Sequence, residues 1–176
     1  MANPGLTGVL LVGGASERFG SPKALARLDG RTLAEIGWEA LAFCDERIAV
    51  GKDEDGLDLP FAVLDDGADV RAPIAGVVAG LRAAANDVCL ILPVDMPRVS
   101  RDALRALVDA GGDVAVPQTG PLPGAYRRSA LPAFERCLAA GELALRRPLD
   151  ELDVRVVRID PMLLVNVNTK EDLARL

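Results

Sequence analysis

A chain of 176 residues in which 50% are hydrophobic but only 3% aromatic can bury one sizeable core, filled by Ala, Val, Leu and Ile rather than by rings. Its formal net charge of −6 argues against a general nucleic-acid binder, and the absence of histidine excludes Ser-His-Asp and Cys-His catalysis as well as His-ligated metals. No run of about 18 apolar residues occurs, and Met1-Ala2-Asn3-Pro4-Gly5 lacks a positive leader region, so the expectation is a cytoplasmic protein without a membrane anchor.

The first predicted element is a strand from Thr7 to Val12, which breaks into Gly13-Gly14-Ala15-Ser16-Glu17-Arg18-Phe19-Gly20-Ser21-Pro22-Lys23. Glycines allow main-chain N–H groups close to phosphate oxygens, and Arg18 and Lys23 can neutralise phosphate charge. The spacing is not that of a P-loop, because Ser21 and Pro22 separate Gly20 from Lys23; nor is it the dinucleotide fingerprint, because Gly13 and Gly14 are adjacent. Thr32-Leu33-Ala34-Glu35 has capping-box spacing and predicts a helix start. Strands follow at Arg47 to Val50 and at Ala62 to Leu64, separated by a glycine- and proline-bearing loop from Gly51 to Pro60.

From Ala72 to Ala85, Ile74, Val77, Val78 and Leu81 recur at helical spacing, with Pro73 suited to the first turn. Val88 to Leu92 is a continuous apolar run, as a fully buried parallel strand requires. Ser100-Arg101-Asp102 caps the next helix, Val114 to Val116 and Val154 to Arg158 read as strands, and Pro117 to Gly124 as a loop. Thr169-Lys170-Glu171-Asp172 opens a last helix ending at Leu176. Cys44, Cys89 and Cys137 match no zinc or C-x-x-C spacing and read as small buried hydrophobes. Strand and helix alternate throughout, which predicts a single α/β domain over residues 1–176, with a mainly parallel central sheet and helices on both faces. Ligands of such sheets bind at the carboxyl ends of the strands, near the switch point.

That rule singles out residues just after strands. Asp95, delivered by the Val88 strand, is on residue type either a magnesium ligand or the cap of a turn before Ser100. Asp65 and Asp66 end another strand, with Asp66 and Asp69 read as solvated loop charges. Gly76 and Gly80 serve either helix packing or ligand contact. Asn166 and Asn168 fall on one side of an extended segment, and Asn168 is alternatively an Asx turn or cap. Arg127 and Arg128 are candidates for an acidic acceptor, and adjacency on a strand allows only one of them to serve. Arg146 and Arg147 read as a solvated helix face.

Leu10 to Lys23 resembles the signature L-x-G-G-x-S-x-R-[FM]-G-x-x-K of nucleotidyltransferases with a Rossmann-like domain, and is most similar to the molybdenum cofactor guanylyltransferases. Asp95-Met96-Pro97 resembles that family's D-M-P, Ala72-Pro73-Ile74-Ala75-Gly76 its G-P-[LI]-A-G, Pro121 to Arg128 its P-L-x-A-x-Y-R, and Asn166 to Leu173 its N-[VI]-N-T-P-E-D-L. Ala72 and Lys170 depart from that pattern. The resemblance implies transfer of GMP from GTP to the terminal phosphate of molybdopterin, with Mg²⁺ as cofactor and pyrophosphate as product. It further implies transient contact with other cofactor-biosynthesis proteins, and no nucleic-acid partner. It assigns Arg18, Lys23 and Asp95 to catalysis, with Asp95 on the metal. Leu11, Gly13, Gly14, Ser16, Gly20, Lys23, Asp65, Gly76 and Asp95 would contact the nucleotide, and Arg127, Asn166 and Asn168 the acceptor. Ser21-Pro22-Lys23 is shared with relatives that use CTP or UTP. A cytidylyltransferase acting on molybdopterin, another transferase activating a small phosphate or alcohol, and a nucleotide-binding paralogue without turnover therefore stand as alternatives.

Overall fold

The computed structural model describes residues 5–13 and 19–176. Strand β1 (Leu6–Leu11) lies inside a seven-stranded sheet, flanked by β4 (Glu46–Gly51) and the central strand β6 (Val88–Pro93). Beyond β4 lies β5 (Val63–Asp65); beyond β6 lie β8 (Gly124–Arg127), β7 (Val114–Pro117) and β9 (Val154–Val157) in that order. β1, β4, β5 and β6 pair in parallel, as do β7 and β9, while β8 runs antiparallel to both β6 and β7. A small antiparallel pair, β2 (Arg27–Leu28) and β3 (Arg31–Thr32), turns through Asp29 and Gly30 at positive φ and leads into α1 (Leu33–Ala40).

Alternation along the strands divides the apolar residues between the two faces. Leu10, Leu90 and Leu92 join α1 and α3 (Arg101–Ala110) in one cluster. Val9, Leu11, Cys89 and Ile91 meet α2 (Pro73–Ala83) and α4 (Leu131–Ala139) in the other. Small residues let α2 lie close on the sheet: a Cβ on Gly80 would stand 2.6 Å from Val9 Cγ1, and one on Gly76 2.9 Å from Leu11 Cδ2.

The capping chemistry expected from sequence is present. Thr32 and Glu35 form the reciprocal box on α1, Ser100 accepts from the Ala103 amide, and Thr169 and Asp172 close the box on α5 (Lys170–Ala174). Each predicted strand is found within a residue or two of its expected bounds. The β2–β3 pair, short 3₁₀ turns such as Asp53–Asp55 and Pro161–Leu164, and α4, whose N-cap Ala130 offers no side chain to accept a hydrogen bond, have no counterpart in the sequence expectations. Arg146 and Arg147 are exposed, as expected, but they open a 3₁₀ turn (Arg147–Glu151) rather than an α-helix, with Arg147 paired to Glu142 and Asp150. Among the described residues no helix is long and apolar enough to cross a membrane.

Candidate active site

The chain leaves β1, builds outward through β4 and β5, then returns to the other side of β1 as β6, so the switch point lies at the carboxyl end of β1. There the strands are clamped together: the Val12 amide donates to the Val50 carbonyl at 2.9 Å and the Val94 amide to the Leu11 carbonyl at 3.0 Å. Above these ends opens a cleft of about 330 Å³, whose lining includes Leu11, Gly13, Lys23, Lys52, Asp66 and Asp95. At Gly13 the backbones of β1 and β4 approach so closely that a Cβ would sit 3.2 Å from Gly51 Cα.

Asp95 follows β6, and Lys23 opens a 3₁₀ turn pinned by buried Ala24. Their side chains meet over the end of β1, with Lys23 Nζ 3.4 Å from Asp95 Oδ2. The same ammonium donates to Asn168 Oδ1 at 2.9 Å. Asn168 arrives from the C-terminal segment, which docks through the Val167 amide donating to the Asp95 carbonyl at 2.8 Å. Burial pushes the Asp95 carboxyl above the usual carboxylate range, against the opposing pull of Lys23. Asn166 and Asn168 are both exposed on either side of buried Val167, as an extended alternation requires. Gly20 is exposed at φ +72° with no heavy atom within 4 Å of a would-be Cβ, so turn geometry rather than space calls for glycine.

The opposite end of the cleft is built by β4 and β5. Lys52, just past β4, is buried and donates to Asp66 Oδ1 at 2.6 Å and to the Ala68 carbonyl. Asp66 Oδ1 also accepts from the Ala68 amide at 2.9 Å. Asp65 lies elsewhere: Oδ1 accepts from the Gly67 amide at 2.7 Å and Oδ2 from the Asp53 amide at 2.8 Å, and both bonds hold its carboxyl below the usual range. The residue lining the cleft is Asp66, read from sequence as a loop charge, whereas Asp65 staples two loops. Lys52 escaped the sequence reading although it stands at a strand end, the position that singled out Asp95. Arg71 lines the rim and pairs with Glu54 and Asp55 at 2.6 and 2.8 Å.

Gly76 packs on Leu11, as the packing reading requires, and also lines the cleft. Arg127 does not reach the site. Because β8 is antiparallel to β6, Arg127 pairs with Val88 at the amino end of β6, the opposite end of the strands from the cleft, where Nε donates to the Gly112 carbonyl at 2.9 Å. Gly14, Ser16 and Arg18 lie outside the described residues. Among the described residues no three His, Cys, Asp or Glu side chains cluster to cage a metal. A lone, largely buried carboxylate such as Asp95 nonetheless suits Mg²⁺, which is commonly held by one or two carboxylates together with substrate phosphates and waters.

A crevice at the switch point of a mostly parallel sheet, with a lysine and a carboxylate converging over the first strand, defines a nucleotidyltransferase of Rossmann-like architecture. The chain belongs to the MobA-like NTP transferase domain family, whose model matches residues 8–156. It is 31% identical to the molybdenum cofactor guanylyltransferase of Desulfosudis oleivorans, over 97% of this chain and 93% of that protein. It is 34% identical to a probable molybdenum cofactor guanylyltransferase of Rhodopirellula baltica, over 98% and 92%. Among solved structures it is similar to molybdopterin-guanine dinucleotide biosynthesis protein A from Archaeoglobus fulgidus, with TM-score 0.82, 28% identity, and 96% and 95% of the two chains covered. A 2-C-methyl-D-erythritol 4-phosphate cytidylyltransferase from Thermus thermophilus shares the fold at TM-score 0.76 and 20% identity, covering 95% of each chain.

Proposed function

We propose that this protein transfers GMP from GTP to the terminal phosphate of molybdopterin. The observation that carries the reading is the convergence of Lys23, Asp95 and Asn168 at the cleft, supported by the guanylyltransferase names of relatives matched over nearly their whole length. An oxygen of the acceptor phosphate bonds to the α-phosphorus of GTP, the bond from that phosphorus to the bridging β-phosphate oxygen breaks, and pyrophosphate leaves with the electron pair. A phosphate monoester is largely dianionic near neutral pH, its second pKa being about 6, so the nucleophile needs no general base. A chain without histidine is suited to such a step. Catalysis then rests on in-line positioning and charge neutralisation.

Lys23 stabilises charge on the α-phosphate and the departing pyrophosphate, and Asn168 holds its ammonium in place. Gly13, Gly14 and Ser16 cradle phosphates, Arg18 adds a second cation, and Asp66 faces the nucleoside. Asp95 would hold Mg²⁺, which when bound supplies Lewis-acid neutralisation of the phosphates. The substrates are water-soluble, in keeping with a cytoplasmic reaction and transient hand-over between cofactor-biosynthesis proteins. The test is pyrophosphate release with molybdopterin and Mg²⁺ in the presence of GTP, CTP or UTP. Release with GTP alone is expected; release with CTP instead makes the protein a cytidylyltransferase, and none with any nucleotide makes it a binding protein.

A further inference from the structure

Lys52 is the one buried lysine among the described residues, and the transfer step proposed above leaves it without a task. The side chains of Lys52 and Asp66 are only 8% and 9% exposed, yet both residues line the cleft. The ammonium has three donors, and its bonds to Asp66 Oδ1 and the Ala68 carbonyl use two of them. On Asp66, Oδ1 is occupied by Lys52 and the Ala68 amide, while among the described residues Oδ2 has no partner. The pair thus fixes the plane of the carboxyl group and leaves one oxygen for a ligand.

The strand order says which part of a nucleotide would meet it. Lys23 and Asp95 stand over β1 and β6, whereas Lys52 and Asp66 follow β4 and β5. Three strand spacings of about 4.8 Å separate β6 from β5, so a nucleotide with its phosphates at Lys23 lies across the strand ends with its base about 14 Å away, beside Asp66. A carboxylate oxygen held in one orientation accepts from adjacent N–H groups. Guanine presents N1–H beside its exocyclic amine; cytosine presents an amine beside an acceptor nitrogen.

We propose that Lys52 is a positioning residue for base selection: by anchoring Asp66 in one orientation it lets Oδ2 favour guanine over cytosine. The proposal deepens the guanylyl-transfer reading and rests on it for the identity of the preferred base. It is tested by calorimetric titration of the full chain and of Lys52→Met with GTP, CTP and pyrophosphate, each with Mg²⁺. The expected result is that GTP affinity falls about tenfold in Lys52→Met, as loss of a charge-assisted contact implies, while CTP and pyrophosphate affinities stay within about twofold. Lys52→Arg, which keeps a cation beside Asp66, restores most of the GTP preference.

Equal weakening of GTP and CTP, or weakened pyrophosphate binding, overturns the proposal and makes Lys52 a phosphate contact or a structural element. Lys52→Met combined with Asp66→Asn removes both charges at nearly constant volume. It avoids stranding a buried carboxylate and is expected to lose the same GTP preference, so a misfolded single variant cannot hide the result. A wild-type chain that prefers CTP refutes guanylyl transfer separately. The GTP-to-CTP ratio then still supports Lys52 as the positioning residue if the variant shifts it, and overturns that role if it does not.

Discussion

The backbone amide of Val167 donates to the backbone carbonyl of Asp95 at 2.8 Å, which ties the C-terminal segment to the end of the central β6 strand. Through this single peptide contact, two parts of the chain 72 and 145 residues from Lys23 deliver a carboxylate and an amide to the same ammonium. The arrangement is a three-way junction in which the Asp95 carboxylate and the Asn168 amide oxygen converge on the Lys23 ammonium.

Replacing Asn168 with alanine tests the junction from the C-terminal side. The Lys23 ammonium keeps Asp95 but loses its 2.9 Å contact, and a hydrogen bond to a charged group is worth about 1.5–3 kcal/mol before solvent exposure is discounted. Asn168 is exposed, so the lower part of that range applies, and turnover is expected to fall about tenfold. Pyrophosphate release in steady state, with nucleotide affinity measured in parallel, checks it; a fall in kcat with little change in affinity is the expected pattern.

Lys23→Ala removes the group proposed to stabilise charge on the α-phosphate and on the leaving pyrophosphate. Loss of one preorganised donor at developing charge costs about 10²–10³ in kcat. A variant retaining wild-type turnover would remove Lys23 from the catalytic machinery.

Residues at strand ends were legible in the sequence because a buried parallel strand is a continuous apolar run and its first polar successor stands out. Asp95 after Val88–Leu92 is such a case, and the structure puts it at the cleft. Lys52 obeys the same rule, but it is embedded in Lys52-Asp53-Glu54-Asp55, a run whose charge reads as solvated loop. Asp65 and Asp66 differ by one step, and a strand ending one residue later than expected determines which carboxylate turns to the cleft and which binds loop amides. Arg127 illustrates a limit of another kind. Its guanidinium has the right chemistry for an acidic acceptor, but the antiparallel course of β8, a property of the whole sheet, carries it to the wrong end of the strands.

The division of labour between neighbouring aspartates is testable by paired substitutions. Asp66→Ala is expected to weaken GTP binding, whereas Asp65→Ala should leave GTP affinity within about twofold while loosening the loops around Asp53 and Gly67, because only backbone amides are released. Hydrogen exchange at those two amides, alongside GTP titration, separates the roles. In the wild type the folded Asp65 carboxyl is more acidic than the unfolded one. Its contribution to loop order is therefore complete above about pH 4 and is lost as pH falls through the folded value, so protection of the two amides, relative to their intrinsic exchange rate, should fall specifically on acidification.

The cysteines should behave as core residues rather than as reactive thiols. Burial pushes Cys44 up to about 11 and Cys89 up to about 12, and raises Cys137 above its ordinary value, with Glu142 and Glu151 adding to the rise. The thiolate is the reactive form, so alkylation by iodoacetamide at pH 8 is expected to be slow in the folded protein and rapid at all three positions in denaturant. Fast labelling of Cys89 without denaturant would mean that β6, the strand that delivers Asp95, opens far more often than its packing allows.

Gly80→Ala probes the seat of α2 without touching the cleft. A Cβ there would stand 2.6 Å from Val9 Cγ1, inside the van der Waals limit and against a β-branched side chain with little freedom to turn away. Overpacking of this kind costs about 1–3 kcal/mol, and in a chain of this size each kcal/mol lowers Tm by about 2–4 °C. Thermal and urea unfolding should both report the loss. Activity per folded molecule should be retained, because Gly80 lies one helical turn past Gly76 and, unlike Pro73 and Gly76, does not line the cleft. Equal loss of stability and turnover would instead show that α2 shifts as a body and carries Pro73 and Gly76 away from the nucleotide.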